Sequence, residues 1–233
     1  MGILYIVPTP IGNLQDITLR ALEILSNVSF IACEDTRKTG QLLKLLKEKS
    51  GLQTKSDLQL QSYYDQIEAQ RTPAFINVLK NDFDMALVSD AGTPLISDPG
   101  FKLVRACAEA GITVVSLPGA SSVNVALTAS GLPSDKFFFL GYPPQKPGHR
   151  KAFFQKIKES AELISTTFIL FEAPHKLHKT LDDMEEILGN IEIVFCRELT
   201  KMHEEIWRGN IAAAKERFKK HAPKGEFVLL FHL

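Results

Sequence analysis

Four short segments combine glycine, proline, hydroxyl and carboxylate residues in patterns suited to holding a small polar ligand. Residues 8–13 read Pro-Thr-Pro-Ile-Gly-Asn, and Glu34-Asp35-Thr36-Arg37 sets two carboxylates beside a guanidinium. Residues 89–94 read Ser-Asp-Ala-Gly-Thr-Pro, and residues 118–122 read Pro-Gly-Ala-Ser-Ser. A carboxylate such as Asp35 followed by Arg37 can cap a helix and form an ion pair, or it can face a substrate; the sequence leaves both readings open. Glycine in the third segment lets the backbone approach a ligand closely, so the segment is either a cradle for a small molecule or a bare turn. Small residues and free N–H groups at Ser121 and Ser122 suit an adenosine or a carboxylate, with close helix packing as the alternative.

Other chemistries are poorly supported. Residues 8–13 hold the place of a phosphate loop but carry one glycine and two prolines, without the dinucleotide or Walker pattern. His175 and His178 lie three apart on an expected helix, yet further zinc ligands are missing, so no metal is expected. No Gly-x-Ser-x-Gly elbow occurs, which counts against covalent nucleophilic catalysis. Cys33, Cys107 and Cys196 are odd in number, widely separated and set among apolar residues, as buried thiols in a reducing compartment are; a cytoplasmic location is expected. Apolar stretches such as residues 137–140 and 227–231 are too short to span a bilayer. Lysine plus arginine and aspartate plus glutamate each number 27, so the net charge is zero and any contact with nucleic acid must be local. One window fits: no acidic residue lies between Asp135 and Glu159, whereas Lys136, Lys146, His149, Arg150, Lys151, Lys156 and Lys158 accumulate. Lys146, Arg150 and Lys151 are the candidates for phosphate contacts there; a solvated helix face is the alternative.

Ligands of open α/β sheets bind beyond the carboxyl ends of strands, and each of the four segments follows an apolar run, at residues 3–7, 30–33, 85–88 and 113–117. Such runs alternate with helical periodicity, which predicts α/β architecture with largely parallel strands. Helices are expected over residues 16–26 with Asp16 as N-cap, then 36–47, 67–79, 100–110, 120–130, 174–188 and 212–220. A basic helix follows the Pro/Gly loop at 142–148, and further strands are expected at 136–140, 167–171, 191–196, 204–208 and 227–231. Between residues 48 and 61 the pattern fades into a polar surface excursion. With 233 residues, 45% of them hydrophobic, the chain can bury two modest cores, and Pro118-Gly119 divides it into α/β domains at 1–117 and 118–233.

The run Leu4-Tyr5-Ile6-Val7-Pro8-Thr9-Pro10-Ile11-Gly12-Asn13-Leu14, with Asp16-Ile17-Thr18 and Arg20-Ala21-Leu22, resembles the opening signature of a methyltransferase family. Its members modify the ribose 2′-hydroxyl of a cytidine in small-subunit ribosomal RNA and fall within the tetrapyrrole methylase-like superfamily. The resemblance continues through Glu34-Asp35-Thr36-Arg37, Leu87-Val88-Ser89-Asp90-Ala91-Gly92-Thr93-Pro94, Asp98-Pro99-Gly100 and Gly131-Leu132-Pro133-Ser134-Asp135. It extends to Phe171-Glu172-Ala173-Pro174-His175-Lys176, Arg197-Glu198-Leu199-Thr200-Lys201 and Lys224-Gly225-Glu226, covering nearly the whole chain. What this resemblance implies is a pair of α/β domains with S-adenosylmethionine in the cleft between them, a homodimer, and ribosomal RNA or a small-subunit particle as partner. It implies cofactor contacts from Pro10, Thr93, Ile96, Ser121, Ser122, Phe171, Leu199 and Glu226. One stretch departs from the family: Tyr63-Tyr64-Asp65-Gln66-Ile67 stands where members usually carry a His-rich, Asn-containing segment.

A ribose hydroxyl is a poor nucleophile at neutral pH, so a carboxylate could accept its proton late in the transfer. Asp35, Asp90 and Glu172 are the candidates, with Arg37 beside the first. Two rival readings remain at this point: methylation of a tetrapyrrole or other small molecule, and an RNA-binding or assembly module that keeps the fold without catalysis.

Overall fold

Strand β4 (Met85–Val88) is buried at all four residues, which requires cover on both faces of its sheet. That cover defines the first of two compact units, Met1–Ser121 and Ser122–Leu233, in a computed structural model that describes residues 1–220 and 223–233. Around β4 lie β1 (Leu4–Ile6), β2 (Phe30–Cys33), β3 (Gln59–Ser62) and β5 (Val114–Ser116), in the order β3-β2-β4-β1-β5 and parallel throughout. Helices α1 (Leu19–Asn27) and α2 (Thr36–Ser50) press Ala21, Leu25, Leu43 and Leu46 onto one face with Val7, Ile31 and Val88. Helices α3 (Glu68–Lys80) and α4 (Phe101–Glu109) cover the other with Phe75, Leu79, Leu103 and Cys107.

Two local expectations change here. Asp16 ends a short 3-10 turn, Leu14–Asp16, and α1 is capped instead by Thr18, whose hydroxyl accepts from the Ala21 N–H at 3.0 Å. The polar excursion contains β3, whose sequence Gln-Leu-Gln-Ser hides a strand because it sits at the sheet edge and needs little apolar cover.

The second unit carries β6 (Phe137–Phe139), β7 (Thr167–Glu172), β8 (Glu192–Arg197), β9 (Glu205–Asn210) and β10 (Phe227–His232), in the order β6-β7-β10-β8-β9. Only β6 and β7 are parallel; β10 pairs antiparallel with β7 and β8, and β8 with β9. The expectation of largely parallel strands therefore fails in this unit. The short connection from β8 to β9 permits only an antiparallel return, and an apolar run alone does not encode direction. Helices α6 (Pro147–Leu163), α7 (Leu177–Leu188) and α8 (Ile211–Lys220) bury Phe154, Leu181, Met184 and Ala214 against Phe168, Leu170 and Phe195. Helix α5 (Ser122–Ser130) packs on β8 and β10, with the Cys196 thiol 3.9 Å from the Ala126 carbonyl. Among the described residues no helix is long and apolar enough to cross a membrane.

Arg150 corrects the phosphate-contact expectation. It is 3% exposed, and its Nε and Nη2 lie 2.7 and 2.6 Å from Asp183 Oδ2. Its Nη1 donates to the Gln145 carbonyl at 3.1 Å, so the guanidinium ties α6 and the loop before it to α7. Lys151 pairs with Glu186 at 2.6 Å, and Lys146 is exposed. The basic window that looked like one surface thus includes a buried ion pair, invisible to a reading of charge alone. Replacing one partner strands the other in a low-dielectric core, so Arg150→Met should lower stability by about 3–5 kcal/mol, read from the urea midpoint. A loss no larger than that of an ordinary surface substitution would contradict this assignment.

Candidate active site

Three of the four segments meet at the carboxyl ends of β1, β4 and β5. The Val7 N–H donates to the Leu87 carbonyl at 2.9 Å and the Leu117 N–H to the Ile6 carbonyl at 3.0 Å, extending the sheet to its last residues. Beyond it, Thr9 and Gly92 exchange both backbone hydrogen bonds, each 2.9 Å. The Thr9 hydroxyl donates to the Ser89 carbonyl at 3.1 Å, and the Ser89 hydroxyl to the Gly92 carbonyl at 3.2 Å. Gly92 has φ 83, a conformation that a side chain would strain. The third segment is drawn in by the Thr93 hydroxyl, which donates to the Ala120 carbonyl at 2.9 Å. Gly119 is so close to Pro8 that a Cβ on it would stand 2.6 Å from the proline Cβ. Pro10, Thr93 and Ser121 thus share this junction, with Pro10 buried and Ser121 half-buried.

The loop that follows holds Ile96, 41% exposed, in a strained run: Leu95 has φ 72 and Ser97 φ 64, and neither is glycine. A buried carboxylate fixes its far end. Glu68 Oε1 accepts from the backbone N–H of Gly100 at 2.9 Å and of Lys102 at 3.1 Å, capping α4 from α3.

Beside the junction, Glu34, Asp35, Thr36, Arg37, Lys38, Ser62, Tyr64, Gln66 and Asp90 line an open cavity of about 520 Å³, a size suited to a small polar ligand. Asp35 caps α2 through the Arg37 N–H at 2.9 Å and also grips the Arg37 Nε and Nη2 at 3.1 and 2.8 Å. These bonds hold its carboxyl well below the usual carboxylate range. Lys38 donates to Asp90 Oδ2 at 2.7 Å, while Asp90 Oδ1 is buried without a hydrogen-bond partner. Burial, and then the charge of Asp90, raise the Glu34 pKa. Asp98 is pushed up to about 6, chiefly by burial, with the Ser89 hydroxyl opposing and Glu34, Asp90 and Asp65 adding to the rise.

In the second unit the register sets Glu172 and Arg197 on either side of Phe227, so Phe171, Glu172, Leu199 and Glu226 gather at one end of the sheet. Glu172 is 3% exposed, its Oε1 accepts from the Ala173 N–H at 2.8 Å, and its Oε2 is buried without a hydrogen-bond partner. Burial raises its pKa against the pull of Thr180 and the Ala173 N–H. Ser122 opens α5. Of the expected acidic residues, therefore, Asp35 and Asp90 share a cavity with Arg37, whereas Glu172 belongs to the second unit. Sequence reading missed Lys38; it quoted Asp98 in a family motif without a role, and Tyr64 and Gln66 only within the stretch that departs from the family. Lys38 looked like one more helix-surface lysine, and only the path of the chain places it 2.7 Å from a carboxylate 52 residues away. Among the described residues no cluster of His, Cys, Asp and Glu is placed to hold a metal ion.

Residues 3–215 match the family model for tetrapyrrole (corrin/porphyrin) methylases. The chain belongs to that family. A Hydrogenobaculum protein named Ribosomal RNA small subunit methyltransferase I is 46% identical over 228 residues, which span 97% of this chain and 94% of the relative. Proteins of the same name from Synechocystis and Vibrio cholerae are 45% and 47% identical, over 99% of this chain and 78% and 77% of theirs. Among solved structures, the methyltransferase CobJ matches with a TM-score of 0.70 at 17% identity, covering 99% of this chain and 94% of that one. A uroporphyrin-III-C-methyltransferase from Thermus thermophilus matches with 0.62 at 18%, with the same two coverages. At such identities the structural likeness speaks for the fold.

Like the family, the chain is an S-adenosylmethionine-dependent methyltransferase. Its residues fit that group: Ala91 and Gly119 are exposed, Ala120 and Ser121 half-exposed, and these small residues leave backbone within reach of a nucleoside.

Asp98 gives this site a pH signature. Its pKa rises from 3.8 unfolded to about 6 folded, so its contribution to stability is fully present below the unfolded value and is lost as pH rises through the folded one. Asp98→Asn keeps a neutral group throughout. Its urea midpoint should therefore gain on the wild type between about pH 4 and pH 7.5, and a difference that stays constant across that range would contradict the burial of this carboxyl.

Proposed function

We propose that the chain transfers a methyl group to the ribose 2′-hydroxyl of a cytidine in small-subunit ribosomal RNA. The observation that carries this reading is the full-length similarity to relatives whose name specifies that substrate class. The sequence resemblance supplies the ribose and the cytidine. S-adenosylmethionine, when bound, supplies an activated methyl group, which leaves the protein to orient the acceptor and handle one proton.

Within this reading, the family resemblance assigns the cofactor contacts to Pro10, Thr93, Ile96, Ser121, Ser122, Phe171, Leu199 and Glu226. Asp90 is the proton acceptor. It lines the cavity and is steadied through Oδ2 by Lys38, with no partner on its buried Oδ1, whereas both oxygens of Asp35 are spent on Arg37. Asp35 is then a positioning residue that aims Arg37 at a backbone phosphate. Lys146 and Lys151 provide further phosphate contacts. A homodimer acting in the cytoplasm completes the reading; the superfamily resemblance supports the first and the substrate the second.

Incubation with labelled S-adenosylmethionine should methylate small-subunit particles from a strain lacking this protein and leave uroporphyrinogen unlabelled. The modified linkage should resist alkaline cleavage, since a methylated 2′-oxygen cannot attack the phosphate. Asp90→Asn should lower kcat by about 100-fold or more with cofactor affinity retained. Label in the macrocycle alone would overturn the RNA reading, and an Asp90→Asn enzyme of normal kcat would remove Asp90 from the chemistry.

A further inference from the structure

The chain leaves β8 in a conformation that costs energy. Glu198 has φ 49 and Thr200 φ 63, both left-handed and neither glycine, and they flank Leu199, which is 6% exposed. Residues in that region persist only where their surroundings hold them.

A carboxylate holds these. The β8–β10 ladder pairs Arg197 with Phe227, and one step further the Glu198 N–H donates to the Glu226 carbonyl at 3.0 Å. An antiparallel pair would return the second bond to the Glu198 carbonyl. Instead the Glu226 N–H donates to Glu198 Oε1 at 2.9 Å, and the Glu198 carbonyl accepts from the Lys201 N–H at 3.0 Å. The side chain has taken the place of its own backbone carbonyl in the ladder, which frees the main chain to turn.

Three further features serve the same exchange. Lys201 Nζ lies 3.1 Å from Glu198 Oε1 and 2.8 Å from Glu226 Oε2, offsetting two carboxylates that would otherwise repel. The Thr200 N–H donates to the Glu204 carboxylate at 2.5 Å. Gly225, at φ 91, leaves the room: a Cβ there would stand 2.7 Å from Glu198 Cγ and 2.8 Å from its Cδ and Oε1. The Glu226 N–H and the Lys201 ammonium together hold the Glu198 carboxyl below its ordinary pKa, so it is ionised at neutral pH.

We propose that Glu198 is a positioning residue for cofactor binding, whose carboxylate fixes the backbone of residues 198–201 against 225–226 and so places Leu199 and Glu226. The proposal rests on the reading of Leu199 and Glu226 as cofactor contacts. Strain of this kind has no use in a simple hairpin connection, which common turn types make without left-handed glutamate or threonine. It has a use where one apolar side chain and one backbone edge must stand in fixed places.

The test compares Glu198→Ala, Glu198→Gln and Leu199→Ala in the full chain. Calorimetry gives the Kd for S-adenosylmethionine and for S-adenosylhomocysteine, kinetics gives KM and kcat, and urea gives stability. Glu198→Ala should raise both Kd values and the cofactor KM by about tenfold or more, with kcat within about threefold. Glu198→Gln keeps an acceptor oxygen for the Glu226 N–H but loses the charge facing Lys201, so it should fold normally and fall between. Weakened binding in Leu199→Ala but wild-type affinity in both Glu198 variants would overturn the proposal alone. Wild-type affinity in all three variants would overturn the site reading and the proposal with it. A loss of stability in Glu198→Ala with unchanged Kd would show a structural role only and would also overturn it.

Discussion

Two hydrogen bonds between Thr9 and Gly92 decide where the ends of the first sheet go. Each contributes about 0.5–1.5 kcal/mol on its own, too little to account for the fold. Their effect is geometric: they lock the turn after β1 to the turn after β4, and the Thr93 hydroxyl then fastens the segment after β5 to the same place. Parallel strands bring their carboxyl ends to one side as a matter of topology, and these bonds turn that proximity into a defined surface. The positions of Asp90, Ile96 and Ser121 all follow from it.

The same device appears in both units. A carboxylate spends its oxygens on backbone N–H groups so that a nearby loop can hold a conformation it would otherwise leave. Glu68 does this for the N-terminus of α4, below the strained Leu95 and Ser97, and Glu198 does it at the end of β8. Binding loops need fixed shapes, and a buried or half-buried carboxylate bonded to main chain fixes shape without occupying the ligand's space. Asp35 is the third case, since it caps α2 and grips Arg37 with the same side chain.

Much of this was legible in the sequence. Apolar runs located the strands β2 and β4 to the residue, since a short apolar run bounded by polar or turn residues marks a strand buried in a parallel sheet. Turn chemistry pointed to the segments at 8–13, 89–94 and 118–122, and the structure brings them together. Edge strand β3 was hidden by its polar side chains, strand direction in the second unit was not encoded locally, and Arg150 was misread because a guanidinium in a basic window looks alike whether buried or free. Lys38, Asp98 and Glu198 owe their importance to partners distant in sequence or to backbone angles, neither of which a pattern of residue types records.

On the proposed function, the methyl donor binds at the junction built on Thr9 and Gly92. Hydrogen exchange with and without S-adenosylmethionine tests it most directly. Slowed exchange on binding in all three segments, residues 8–13, 89–94 and 118–121, is the predicted result. Saturating binding that leaves those segments unprotected while protecting others would contradict it.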